Sequence, residues 1–133
     1  MGDERWVMRE EVIGMTEEIR PHYRLEAWKE AMALVKSVYE VSRHFPAEER
    51  YGLTSQVQRS AVSVPSNIAE GAARSGSREF AHFLSISRGS LSELETQLLI
   101  AVGLGYMERN HPVFSSADRV SRLVTGLHKS VKD

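Results

Sequence analysis

No cysteine occurs among the 133 residues, which excludes disulfides, thiolate metal sites and cysteine nucleophiles. Neither sign of charge dominates. Against 17 Lys and Arg stand 18 Asp and Glu, a formal net charge of -1, so no bulk field marks the chain as a nucleic-acid or membrane binder. No apolar run approaches the roughly 20 residues of a membrane span. Sustained strand alternation is missing as well, and Met1 to Glu11 alternates acids with bases instead of following a signal-peptide pattern. What remains is an ordinary globular mixture, 41% hydrophobic and 26% charged, suited to one domain and expected in the cytoplasm.

Four segments repeat their apolar residues at three and four, the spacing of amphipathic helices. The first runs from about Leu25 to His44 on Leu25, Trp28, Ala31, Met32, Val35, Val38 and Tyr39, and Phe45-Pro46 ends it. Leu53 to Glu70 follows, with the stripe Leu53, Val57, Ala61, Val64 and Ile68. Pro65 predicts a kink or short break there, and Gly71 a left-handed C-cap. Ser75 or Ser77 is placed to cap a third helix reaching about Leu104, whose inner stripe is Phe80, Phe83, Leu84, Ser87, Leu91, Leu94, Leu98, Ala101 and Val102. The fourth begins between Pro112 and Ser115, where Ser115-x-x-Asp118 resembles a capping box, and uses Val120, Leu123, Val124, Leu127 and Val131. Four such helices joined by short turns predict an all-α, antiparallel up-down bundle over residues 25–133. Residues 1–24 form an N-terminal extension carrying Trp6, Val7, Met8, Val12, Ile13 and Ile19, too apolar for a purely solvated tail and suited to docking on a neighbouring subunit.

One shortage stands out within the second segment. From Tyr51 to Ala69 the only formal charge is Arg59. Its non-core positions are Thr54, Ser55, Gln56, Gln58, Ser60, Ser63, Ser66 and Asn67, where a bundle helix ordinarily carries Lys and Glu. Small neutral side chains permit close approach, so a second copy of the chain is expected to cover this face. A solvated Ser/Thr/Gln surface without a partner is the alternative.

The stretches YGLTSQVQRSAVSVPSNIAEG (51–71) and FAHFLSISRGSLSELE (80–95) are distinctive. They resemble the four-helix bundle protein family first described as open reading frames in intervening sequences of bacterial 23S ribosomal RNA genes. Leu53, Thr54, Ser55, Gln56, Arg59, Ser63, Asn67, Ile68, Ala69, Glu70, Gly71, Gly89, Ser90, Leu91 and Glu93 match that family's pattern, and the resemblance covers about residues 24–107 strongly. Ser60 and Arg88 depart from it: the family usually has alanine after the arginine and a small apolar residue before the glycine. The resemblance implies a left-handed bundle assembling as a ring, commonly a homopentamer, with a largely unassigned molecular role. A similar bundle is the accessory protein of the reverse transcriptase in diversity-generating retroelements, which raises RNA or DNA binding by analogy of fold.

Arg59, Glu70 and Glu93 are charges in otherwise uncharged or core-like context. With Gln56, Ser63, Asn67 and Ser90 they read as a partly buried polar network or interface, an arginine fork satisfying carboxylates on adjacent helices. Casting Glu70 or Glu93 as a general base finds no accompanying nucleophile or metal set. Mid-helix Gly89 costs roughly 1 kcal/mol relative to alanine, which close packing would offset, a ligand-binding kink being the alternative. Gly71 to Gly76 has phosphate-loop glycine spacing without the lysine or a preceding strand. His22, His44, His82, His111 and His128 show no metal-ligand pairing, so no metal and no cofactor are expected.

Basic charge segregates modestly. Residues 111–133 carry net +2 from Arg119, Arg122, Lys129 and Lys132 against Asp118 and Asp133. With Arg74 and Arg78 these four are the candidate nucleic-acid contacts, multiplied in a ring of copies. The expected function is therefore a non-enzymatic, homo-oligomeric assembly or adaptor protein, with a nucleic-acid-binding accessory factor as the alternative. No membrane and no small-molecule substrate are expected.

Overall fold

The computed structural model of the protein describes residues 21–132, and among these every regular element is helical. A short 3-10 turn, Pro21–Arg24, leads into α1, Glu26–Ser42. It is followed by α2 (Leu53–Ala72), α3 (Ser77–Gly103) and α4 (Pro112–Lys132). Each helix packs on its successor in the chain, and α1 closes the circuit against α4. The expected packed extension before residue 21 lies outside the described residues.

The apolar stripes converge on one core. Val57, Ala61, Val64 and Ile68 of α2 are sealed from solvent, as are Leu84, Leu94, Leu98 and Ala101 of α3. From α1 come Ala31, Leu34 and Val38, and from α4 Val113, Val120 and Val124. Several longer side chains of the expected stripes, Met32, Tyr39, Phe80, Leu123, Leu127 and Val131, sit at the margin and are only partly covered. Periodicity locates the core face; how deeply each position sinks depends on the neighbouring helix.

The helices differ from expectation at one interior position and three ends, each for a local reason. α2 runs unbroken through buried Pro65, so a full break is not needed even though the Ala61 carbonyl loses its usual donor. Gly71 lies inside α2 rather than in a left-handed cap, and the helix closes at Ala73 in a right-handed conformation. Neither Ser75 nor Ser77 caps α3: Gly76 stands at its N-cap and no side chain bonds there. Instead of the Ser115 capping box, the His111 Nδ1 accepts the Val113 N–H at 3.0 Å, one turn earlier, with Pro112 as the first helical residue. The left-handed glycine is Gly105 (φ 81°), where Tyr106 N–H bonds the Ala101 carbonyl at 2.9 Å and Gly105 N–H bonds that of Val102 at 3.0 Å. This pair of bonds is a Schellman ending, which satisfies the last carbonyls of α3.

Between α1 and α2 a carboxylate organises the turn. Glu49 Oε1 accepts the Leu53 N–H at 3.0 Å, and Glu49 Oε2 accepts the Tyr106 hydroxyl at 2.8 Å. One side chain thereby completes the start of α2 and ties it to the loop after α3. The backbone and phenol hydrogen bonds hold Glu49 below the ordinary carboxylate range, and the same contact pushes the Tyr106 phenol up.

Candidate functional site

α2 and α3 meet along a seam of small side chains, and that seam accounts for much of the neutral polar surface of α2. Ser87, fully buried on α3, donates to the Val64 carbonyl at 2.9 Å. Ser63 and Ser90 hydroxyls lie 2.7 Å apart, and Asn67 Nδ2 donates to the Ser63 hydroxyl and carbonyl at 3.0 and 2.8 Å. At the end of the seam, a Cβ on Gly71 would sit 2.9 Å from both Phe80 Cδ1 and Phe83 Cβ, and 3.2 Å from the Phe80 carbonyl oxygen. Gly71 thus permits close packing. On the other flank Gln58 donates to Ser42 of α1 at 3.1 Å.

The remaining residues of the expected network point outward. Arg59 is exposed and has neither ion pair nor hydrogen bond among the described residues, so the expected fork with Glu70 and Glu93 does not form. Glu70 pairs instead with Arg74 one turn along at 2.8 Å, and Glu93 stands exposed without an ion pair among the described residues. The helical repeat explains this division: Gln56, Arg59, Val62, Ser66 and Glu70 follow at threes and fours on the side of α2 away from the core. Gly89 belongs to the corresponding outer stripe of α3 with Ile86, Glu93 and Ile100, and no atom lies within 4 Å of its would-be Cβ. Close packing of Gly89 therefore does not occur among the described residues.

Between the two outer stripes runs a groove of about 380 Å³ lined by Gln56, Arg59, Ser60, Ser63, Glu93 and Gln97. Gln97 is 8% exposed, yet its Oε1 has no hydrogen-bond partner. An unpaired buried amide oxygen costs about 1–3 kcal/mol. Gln97 follows Ser90 and Leu94 on the same edge of α3, a spacing that marks it as inward-facing in the sequence too. Apolar side chains flank this region: Val62 is 40% exposed, Ile86 39% and Ile100 47%.

The candidate nucleic-acid contacts divide in two. Carboxylates already neutralise Arg74 (Glu70, with Glu79 at 3.9 Å), Arg119 (Glu30) and Arg122 (Asp118 at 3.0 Å). Arg74 also lies over the Phe83 ring, 5.0 Å from its centroid. Arg78, Lys129 and Lys132 are exposed and carry no ion pair among the described residues.

The histidines take separate structural places: His111 caps α4, His128 lies 3.1 Å from the Ser85 hydroxyl, and His22 meets Trp28 edge-on. Among the described residues, no helix is long and apolar enough to cross a membrane. A family model described as 23S rRNA-intervening sequence protein matches residues 23–126. No curated protein matches the chain.

Proposed function

Because the chain belongs to the 23S rRNA-intervening sequence protein family, we propose that it is a non-enzymatic building block. In this reading the four helices form a left-handed, antiparallel up-down bundle, and copies of it close into a ring, most simply a pentamer, that acts as a cytoplasmic adaptor. The observation that supports assembly is the groove between α2 and α3. There a buried acceptor, Gln97 Oε1, and two opposite charges, Arg59 and Glu93, have no partner among the described residues, and a neighbouring copy would supply a donor and countercharges. The exposed Val62, Ile86 and Ile100 beside it supply apolar area for burial, and bare Gly89 lets another backbone approach.

Light scattering of the purified protein tests the reading. The expected mass is about five times 15.0 kDa, as a closed homo-oligomer requires. A single-copy mass at every concentration would overturn it. The rival role, an accessory factor holding RNA or DNA, has less to rest on, since half its candidate cations are already paired. Loss of RNA and DNA retention even at low salt removes it.

A further inference from the structure

A second cleft, apart from the α2–α3 groove, opens where the turn after α1 meets the start of α2. Its volume is about 870 Å³, the size of a small-molecule site. Arg43 and Arg50 line it, and neither has a carboxylate partner among the described residues. Arg59 and Arg78 share that state, whereas Arg74, Arg119 and Arg122 are paired; what sets Arg43 and Arg50 apart is that they line one cleft together. Among the described residues, no acidic side chain lines the cleft. Glu49, in the same turn, is committed to the Leu53 N–H and the Tyr106 hydroxyl, and Glu48 is exposed outside the lining.

Beside the two guanidinium groups stands an aromatic ring with almost no cover. Tyr51 is 87% exposed, and Arg50 lies over its face, 5.4 Å from the centroid. Thr54, Ser55 and Gln58 add neutral hydrogen-bonding groups to the wall. Two guanidinium forks without carboxylate partners among the described residues, next to a largely exposed ring, suit a doubly featured ligand: an anionic phosphate for the arginines and a flat heterocycle for the ring.

We propose that this cleft binds a phosphate-bearing ligand with a planar ring, a nucleotide. Arg43 and Arg50 hold the phosphate, Tyr51 stacks on the base, and the hydroxyl and amide groups of the wall orient the sugar. The phosphate comes either from a free mononucleotide or from a unit in a single strand.

Calorimetric titration of the full chain at low salt with inorganic phosphate, adenosine monophosphate and a short oligodeoxyadenylate tests this. Adenosine monophosphate should bind more tightly than phosphate. Arg43→Ala and Arg50→Ala should each weaken both by about tenfold or more, the loss expected for a charged hydrogen-bonded pair. Tyr51→Ala should weaken the nucleotide but not phosphate, and Tyr51→Phe should restore it. The three side chains changed here are exposed, and an unaltered circular dichroism spectrum verifies the fold. If the oligonucleotide binds far more tightly than the mononucleotide and the same variants weaken it, the strand is the source of the phosphate; parity points to the free nucleotide. Absence of nucleotide binding at millimolar concentration, or binding indifferent to both arginine variants, overturns the proposal. Neither result bears on the oligomer mass, which tests assembly separately.

Discussion

Two glycines in the helical interior should respond oppositely to the same added methyl group. In a solvent-facing helix, Gly→Ala gains about 1 kcal/mol through backbone entropy. At Gly71 the new Cβ meets Phe80 Cδ1 and Phe83 Cβ at 2.9 Å and the Phe80 carbonyl oxygen at 3.2 Å. A ring edge can rotate away, but a Cβ and a carbonyl are fixed to the α3 backbone, so the start of α3 must shift. Overpacking of this kind costs about 1–3 kcal/mol. Set against the propensity gain, Gly71→Ala should lose up to about 2 kcal/mol, which for a chain of this length lowers Tm by up to about 7 °C. Gly89 meets nothing within 4 Å, so Gly89→Ala should raise the Tm of the dissociated chain by about 4 °C. Thermal unfolding followed by far-ultraviolet circular dichroism in dilute protein reads both. A rise for Gly71→Ala equal to that for Gly89→Ala would refute the packing argument.

Gln97→Leu removes the unpaired acceptor; it should leave the dissociated chain at least as stable, and light scattering should show weakened assembly if a neighbouring copy normally satisfies that oxygen. Leu94→Ala, at a fully buried site where α3 meets the core, should cost about 2–5 kcal/mol in urea unfolding. Glu49 has its pKa lowered by folding, so its contribution is present above the unfolded carboxylate pKa and disappears as pH falls through the folded one. The Tm deficit of Glu49→Gln at neutral pH should therefore vanish in acid. Tyr106→Phe removes one of the two hydrogen bonds on that carboxylate, and an NMR titration should find the Glu49 pKa moved up toward its ordinary value.

The serines of α2 show how far sequence reading reaches. Their neutrality suggests cover on a second side, and the structure divides that cover. Ser63 and Asn67 are engaged with each other and, through Ser63, with Ser90 of α3, while Gln58 reaches Ser42 of α1; Gln56, Arg59, Val62 and Ser66 are left outside. Composition alone cannot make this division, because Ser63 and Ser66 are identical in chemistry and differ only in helical phase relative to α3. The tie from Glu49 to Tyr106 has no local signal at all, since its partners are far apart in the chain and meet only after α3 has turned back.

Amphipathic spacing by itself determined the four α-helices of the described residues, roughly where each begins, and which side of each faces inward, because burial follows the 3.6-residue repeat whatever the neighbour. The motif residues likewise marked the family before any coordinates. Tertiary structure alone decided which glycine is crowded and which bare, that Arg119 meets Glu30 on another helix, and which buried oxygen lacks a donor. Those outcomes depend on the distance between helices remote in sequence, a quantity set by the packing of all four together.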